Sequence, residues 1–112
     1  MASRGDVLVA RKRLGFGAVG RREHFVVVQA DLVATLDTAL VLPLDEDGPS
    51  YRGHDLAVPL SGREAGMRAP QVALVHLLSC MPLDRFDATR AGRASSSTMA
   101  RIDGSLRLVL SL

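Results

Sequence analysis

Cysteine is nearly absent from this sequence, tryptophan is missing, and only one of the 14 basic residues is a lysine. A single cysteine, Cys80, excludes an internal disulfide and argues against a multi-thiolate metal site, and we expect no metal and no cofactor. No apolar run approaches the roughly 20 residues that span a bilayer. The charged N-terminus lacks the pattern of a secretory signal. We therefore expect a cytoplasmic protein with no membrane partner.

What the sequence does contain is typical of one globular domain. It has 112 residues, of which 47% are hydrophobic and 23% are charged. That length supports a single core and is too short for two. We expect residues 1–112 to form one domain.

Positive charge is concentrated near the N-terminus although the net charge is only +2. Within the first 22 residues Asp6 is the only acidic side chain, and the basic ones are Arg4, Arg11, Lys12, Arg13, Arg21 and Arg22. Clustered arginines in loops favour phosphate binding. A solvated charged loop that binds no ligand is the alternative.

Two apolar runs form the centre of the predicted fold, Phe25–Gln29 and Thr38–Leu44. They are rich in β-branched and aliphatic residues, and almost every position is apolar, which is typical of strands buried on both faces. If the runs pair as antiparallel strands, the start of the first lies beside the end of the second. This places His24 and Asp45 at one end of the sheet.

The remaining elements are shorter. The C-terminal segment repeats apolar residues at spacings of three and four after three serines that can cap a helix. We predict strands at Asp6–Ala10, Leu56–Leu60 and Gln71–Leu78, one helical turn at Leu83–Phe86, and a helix at Ser95–Leu110. Five strands with one terminal helix predict a mainly β fold, a small barrel of mostly antiparallel strands.

A glycine-rich string, GFGAVG, spans residues 15–20 and fits the G-x-G-x-x-G pattern of dinucleotide sites. That motif requires a helix after its last glycine. Because a strand follows here, we interpret the string as a basic, glycine-rich loop.

The order of these segments resembles the MazF/PemK family, the endoribonuclease toxins of bacterial toxin–antitoxin pairs, which are related in fold to CcdB. The matching segments are Arg4–Val7 (RGDV), the glycine-rich basic loop, Phe25–Asp31 (FVVVQAD), Thr38–Leu44 (TALVLPL), Gln71–Leu78 and the terminal LRLVLSL. The resemblance implies an SH3-like barrel with a C-terminal helix, a homodimer, and metal-independent, sequence-selective cleavage of single-stranded mRNA. It also implies a cognate antitoxin whose disordered tail covers the RNA site.

The sequence departs from the family pattern at the usual catalytic positions. Glu23 and His24 stand where the family usually has Arg-Pro ahead of its V-V-V-[QS] strand, and Asp45 replaces a threonine or serine. Leu77–Cys80 (LLSC) stands where the family commonly has Gln-[Ile/Val]-Arg-Thr. Whether cleavage is retained is therefore open.

Metal-independent RNA cleavage needs a base for the 2′-hydroxyl, an acid for the leaving 5′-oxygen and cationic donors around the phosphate. We predict Arg22, His24 and Asp45 as the reacting group. His24 is an acid or base, Asp45 is a base or orients His24, and Arg22 binds phosphate. RNA-binding residues are predicted to be Arg11, Lys12, Arg13 and Arg21.

Each of these residues also has a structural interpretation. His24 can be an ordinary strand-edge residue, Asp45 a solvated turn residue, and Arg21 and Arg22 surface partners of Glu23 or Asp45. We expect His76 to be a hydrogen-bonded core or interface residue, and assign no role to His54 or Cys80.

Few aromatic side chains are available to stack on an unpaired base. Only Phe16 and Tyr51 are predicted to lie in loops.

The alternative function is that of a catalytically degenerate, non-enzymatic binding protein on the same scaffold. Such a protein binds an antitoxin or inhibits gyrase as CcdB does. The gyrase version is disfavoured because that activity commonly calls for a C-terminal tryptophan, and the chain has none. The apolar LRLVLSL end and Leu77–Leu78 predict a dimer interface or an antitoxin groove.

Overall fold

The computed structural model describes residues 2–16 and 21–112. These residues form one sheet that curls into a half-barrel, with a helix at the C-terminal end of the chain. The strands are β1 (Asp6–Val9), β2 (His24–Val27), β3 (Thr38–Glu46), β4 (Ala57–Leu60), β5 (Gln71–Leu74), β6 (Ser79–Pro82) and β7 (Gly92–Arg93), and the helices are α1 (Gly62–Ala65) and α2 (Ser96–Leu110). Short 3-10 turns lie at Asp31–Val33, Pro49–Tyr51, Val75–Leu77 and Leu83–Arg85.

Every strand pair in the described part of the sheet is antiparallel, in the order β4-β5-β3-β2-β1-β7, with β6 also paired to β3. The predicted mainly β fold with a C-terminal helix is therefore confirmed. The sequence predicted five strands and missed β6, β7 and α1. Within the described ranges, none of the helices has the length and apolar content needed to cross a bilayer.

The nine-residue strand β3 pairs with three strands, and Pro43 marks the point where one of its edges changes partner. The Val28 amide donates to the Leu40 carbonyl at 3.0 Å. Because hydrogen-bonded pairs alternate along an antiparallel ladder, Phe25 and Pro43 form a non-hydrogen-bonded pair. The missing N–H of Pro43 consequently faces the opposite edge of β3. On that edge β6 pairs up to Val41 and β5 pairs only from Leu44 onward.

A bulge separates β5 from β6. Ala73 faces Leu44 whereas Ser79 faces Val41, so six residues along this segment cover three residues of β3. The surplus residues form the 3-10 turn Val75–Leu77. The prediction of a continuous strand over Gln71–Leu78 is wrong in its second half, and His76 lies exposed on the bulge instead of in the core.

Both faces of β2 are buried, as its continuous apolar sequence predicted. Val26 packs in a core that includes Met99 and Ile102 of α2. On the opposite face, the Phe25 ring makes edge-to-face contacts with two other phenylalanines, Phe16 and Phe86, at centroid distances of 5.5 Å each. Edge-to-face packing is a preferred arrangement of aromatic rings. It fixes the segment that leads into the glycine-rich loop over the sheet.

The N-terminal Arg4-Gly5-Asp6 motif has a structural role. Gly5 adopts a φ of +92°, a conformation that favours glycine. Arg4 donates to the Val28 carbonyl and to Asp103 of α2. Asp6 accepts from Arg90 at 3.0 Å and from Arg93 at 2.6 Å. Burial tends to raise the pKa of Asp6, but the Ser3 amide and the two guanidinium groups lower it overall.

Two glycines allow the turn after α1 to lie directly against β7. A Cβ atom on Gly92 would stand 2.1 Å from the Glu64 carbonyl oxygen, and one on Gly66 would stand 2.1 Å from the Ala91 carbonyl oxygen. Both distances are far inside van der Waals contact, so this backbone-to-backbone approach requires glycine at both positions.

One carboxylate joins the N-terminal ends of both helices. Glu64 accepts from the Ser61 amide at 2.9 Å, which completes a capping box on α1. It also accepts from the Ser95 amide at 2.8 Å, where α2 begins. Ser95 in turn caps α2 by accepting from the Thr98 amide. Burial opposes ionisation, yet these amides and the Thr98 hydroxyl lower the pKa of Glu64 to about 2.

We expect Glu64→Gln to lower the free energy of unfolding by about 1–2 kcal/mol at neutral pH, the size of a lost charged cap. Because the pKa is depressed in the folded state, the carboxylate stabilises the fold fully above its ordinary value of 4.5. This stabilisation is lost as the pH falls through about 2. Urea unfolding at several pH values measures the difference, which should shrink in acid. Asp84→Asn, at an exposed position, is the control, and an equal effect of both substitutions would contradict the assignment.

Candidate functional site

A narrow cleft lies where β2 begins and β3 ends. Its volume is about 30 Å³, room for about one water molecule. The residues that line it are Phe16, Arg21, Arg22, Glu23, His24, Pro43, Leu44, Asp45, Glu46, Met67 and Gln71. The register that pairs Phe25 with Pro43 brings these chain segments together. His24 and Asp45 therefore lie at one end of the sheet, as predicted.

The two arginines of the cleft are held apart by different acidic partners. Arg21 pairs with Glu46 at 2.7 Å, whereas Arg22 pairs with Asp87 at 2.7 Å and also donates to the Ala10 carbonyl. Both arginines form surface ion pairs, as their structural interpretation expected, and the acidic partners are Glu46 and Asp87. Both guanidinium side chains remain more than half exposed, so each can still donate to an approaching phosphate.

His24 is oriented by the backbone. Its Nδ1 atom lies 3.1 Å from the Arg22 carbonyl oxygen. A carbonyl oxygen only accepts, so in the neutral ring Nδ1 carries the proton and Nε2 keeps its lone pair. This arrangement leaves Nε2 able to take a proton from a hydroxyl group.

The Asp45 carboxylate is turned toward the loop that follows β3. One oxygen accepts from the Glu46 amide at 2.9 Å and the other from the Tyr51 hydroxyl at 2.5 Å. The hydrogen bond to Asp45, with burial and the carboxylate charge, raises the pKa of Tyr51 to about 12. Asp45 thus lines the cleft and holds Tyr51 in the neighbouring loop. The catalytic role of Asp45 stays a prediction.

Glu23 is buried and organises the loop before β2. Its carboxylate accepts from the backbone amides of Leu14, Gly15 and Phe16. Sequence reasoning considered Glu23 as the replacement for the family's usual arginine and as a partner for Arg21 or Arg22, and did not predict its role in the loop. The signal that could have revealed its role is an acidic residue directly before a buried strand and shortly after glycine, where loop amides need an acceptor.

The predicted RNA-binding residues divide between two places. Arg21 lines the cleft, whereas the other three border a depression of about 520 Å³ on the loop after β1, namely Arg11, Lys12 and Arg13. Sequence reasoning missed Arg85, which lines the same depression. Within the glycine-rich string, Gly15 has a φ of +95°. Residues 17–20 lie outside the described part of the chain.

Comparison with known proteins gives a consistent result. The family described as PemK-like, MazF-like toxin of type II toxin–antitoxin system matches residues 3–110. No curated protein sequence matches the chain.

Several solved structures share the fold at low sequence identity. A mycobacterial endoribonuclease in complex with its cognate antitoxin superposes with a TM-score of 0.78 at 16% identity, covering 100% of this chain and 97% of that one. The Mycobacterium tuberculosis toxin MazF-mt6 gives 0.74 at 15% identity, covering 96% and 97%. A MazE–MazF structure from Deinococcus radiodurans gives 0.74 at 15% identity, covering 99% and 96%.

The Tyr51–Asp45 hydrogen bond can be measured directly, because the chain has one tyrosine and no tryptophan. We expect the near-ultraviolet absorbance of tyrosinate to appear near pH 12, and Asp45→Ala to return the transition toward 10.0. Since the pKa is raised in the fold, the associated stabilisation is present below pH 10 and lost as the pH rises through about 12. Asp47→Ala, an exposed acid in the same loop, should leave the titration unchanged. A wild-type transition near pH 10 would refute the hydrogen bond.

Removing the Glu23 carboxylate should release the loop. We expect Glu23→Ala to lower the free energy of unfolding by about 1–3 kcal/mol, because three amides lose an ionised acceptor. Limited trypsin digestion should then cut faster after Arg11, Lys12 or Arg13. Glu46→Ala, which removes only an exposed ion pair, should cost less than about 1 kcal/mol. Equal digestion rates for the two variants would show that Glu23 does not order the loop.

Proposed function

Because the chain belongs to the PemK-like, MazF-like toxin family of type II toxin–antitoxin systems, we propose that it cleaves single-stranded mRNA without a metal ion. The cleavage site is the cleft between the start of β2 and the end of β3. The observation that carries the proposal is the convergence of Arg21, Arg22, His24 and Asp45 on this one cleft. Cleavage takes place in the cytoplasm, where mRNA is available.

The 2′-hydroxyl of the RNA is the nucleophile. His24 Nε2 takes its proton as the 2′-oxygen attacks phosphorus, the bond to the 5′-oxygen breaks, and a 2′,3′-cyclic phosphate forms. The leaving 5′-oxygen takes a proton from solvent. The Arg21 and Arg22 guanidinium groups donate to the phosphate oxygens, whose negative charge increases in the transition state. Asp45, at the same end of the sheet, stabilises the imidazolium that forms on His24.

Substrate binding requires the cleft to open. A volume of about 30 Å³ holds no nucleotide, and the Arg21–Glu46 ion pair lies at its edge. Both side chains are about half exposed, at 56% and 45%, and such surface pairs contribute only about 0.2–1 kcal/mol. A phosphate can therefore replace the Glu46 carboxylate on Arg21 at little cost.

We further propose a cognate antitoxin and a homodimer as partners. The structural neighbours include toxin–antitoxin complexes, and the disordered tail of such an antitoxin would cover the cleft. Three leucines at the C-terminal end, Leu108, Leu110 and Leu112, are 64%, 48% and 85% exposed. An exposed apolar surface of this kind supports partner binding.

A second candidate is a non-cleaving protein that retains only partner binding. Glu23 favours this candidate, because it stands at the position where the family usually has a catalytic arginine. Its carboxylate accepts hydrogen bonds from loop amides. On this alternative the chain binds its antitoxin, and RNA stays intact.

Purified protein incubated with single-stranded RNA and EDTA tests the proposal. We expect cleavage by the wild type and a loss of roughly 10²- to 10⁴-fold for His24→Ala, the usual contribution of a general acid–base group. Arg22→Ala should also slow cleavage. Arg101→Ala, which changes an exposed arginine of α2 outside the cleft, is the control.

Intact RNA at high wild-type concentration would favour the non-cleaving candidate. Induced expression, with separate measurements of RNA integrity and DNA damage, then separates an antitoxin partner from a gyrase inhibitor. Equal rates for wild type and His24→Ala would show that another group takes the proton.

A further inference from the structure

Three rings form a row on the surface beside the cleft. Tyr51 and His54 belong to the loop after β3, and His76 belongs to the bulge between β5 and β6. The Tyr51 and His54 ring centroids are 6.5 Å apart, and those of His54 and His76 are 6.0 Å apart with only 31° between the ring planes. We call Tyr51, His54 and His76 the ring row.

Hydrogen bonds within the fold hold two rings of the row, Tyr51 and His54. Tyr51 is fixed at one side by Asp45 and packs against the small apolar cluster of Ala57, Val72 and Leu74. The His54 ring accepts from the Leu56 amide through Nδ1 at 3.2 Å. The Ser105 hydroxyl of α2 donates to the Asp55 carbonyl oxygen at 3.0 Å and so ties this loop to the helix. Tyr51 and His54 are thus held in place before anything binds, and the exposed His76 ring lies next to His54.

Both imidazole rings of the row belong to exposed residues, although ordering them in neighbouring loops costs side-chain entropy. Among the residues that the structure describes, no group of three histidine, cysteine, aspartate or glutamate side chains could hold a metal ion. Two of the three rings, those of Tyr51 and His54, also line a depression of about 310 Å³ together with Arg52 and Val72. An exposed arginine beside exposed planar rings is the chemistry that binds an unpaired nucleotide.

We propose that the ring row is a stacking surface for one unpaired base of the RNA, with Arg52 receiving the adjacent phosphate. The inference rests on the proposed function, because Asp45 connects the two places: it lines the cleft and holds Tyr51. A strand with its scissile phosphate in the cleft reaches the ring row with a neighbouring nucleotide. The other ring predicted for base stacking, Phe16, instead packs on Phe25.

Binding of a short single-stranded oligoribonucleotide carrying 2-aminopurine tests the proposal. It is titrated in EDTA onto the full chain bearing His24→Ala, which keeps the probe intact, and quenching of the fluorescent base reports stacking. Adding His54→Ala or His76→Ala should weaken binding by roughly 5- to 100-fold, the usual effect of removing one stacking side chain. His54→Phe and His76→Phe keep a planar ring and should retain most of the affinity and the quenching. Leu32→Ala changes an exposed residue at the opposite end of the β2–β3 pair and should change neither.

Unchanged affinity and quenching in the alanine variants would overturn the proposal that the ring row stacks on a base. Failure of the phenylalanine variants to restore binding would also overturn it, because the imidazoles would then act by charge or hydrogen bonding. No binding of the probe to any variant overturns it as well.

Cleavage by the wild type separates this proposal from the proposed function. If the wild type cleaves RNA while the alanine variants keep full affinity, the proposed function is supported and the proposed base stacking on the ring row is contradicted. If RNA stays intact while those variants lose affinity, base stacking stands and cleavage fails.

Discussion

Pro43 has no backbone N–H group, and the rest of this structure depends on that constraint. A buried central strand normally cannot include proline, because a ladder hydrogen bond is lost. Here Pro43 lies between the part of β3 that pairs with β6 and the part that pairs with β5. No neighbouring strand is paired with Pro43 on that edge, so no ladder hydrogen bond is lost. The exchange of β6 for β5 creates the bulge that carries His76, and it lets the end of β3 pair with β5 beside the start of β2. The positions of the cleft and of the ring row both depend on this change of partner along one edge of β3.

Around the cleft the positions of positive and negative charge differ from those the family pattern implies. A carboxylate, Glu23, stands at the arginine position and binds loop amides, and the cations are supplied by Arg21 and Arg22. Each of these arginines already has an acidic partner. A phosphate that binds in this cleft, as we propose, would have to displace these carboxylates from the arginines, and salt screens both interactions. The proposed binding of RNA would therefore require an exchange of ion pairs on Arg21 and Arg22.

The sequence was most informative where local pattern and tertiary contact agree. Strands β1 to β5 follow from runs of β-branched residues, and α2 follows from Ser95 and the three–four spacing of its apolar residues. The two-residue strand β7 and the four-residue helix α1 are too short for any periodicity. The break after Leu74 was not predictable from its apolar neighbours, because it depends on the register with β3.

Only those parts of the candidate site that follow from strand pairing could be predicted from the sequence. Antiparallel pairing of two runs was enough to place His24 and Asp45 at one sheet end. The sequence did not show that Arg22 pairs with Asp87, or that loop amides donate hydrogen bonds to Glu23. These are tertiary contacts, and the pattern of strands does not predict them. His76 was expected in the core or an interface because its neighbours are apolar. Its exposure results from the bulge, which no local pattern indicates.

The approach of Gly66 and Gly92 sets a limit on how this chain can evolve. Exposed side chains of the cleft, such as Arg21 and Glu46, can be exchanged while the strands beneath remain paired, because the sheet is held by backbone hydrogen bonds. A residue larger than glycine at position 92 collides with a carbonyl oxygen that cannot move without separating α1 from β7. A backbone crossing with no room for a Cβ atom therefore restricts substitution more tightly than an exposed side chain at a cleft does.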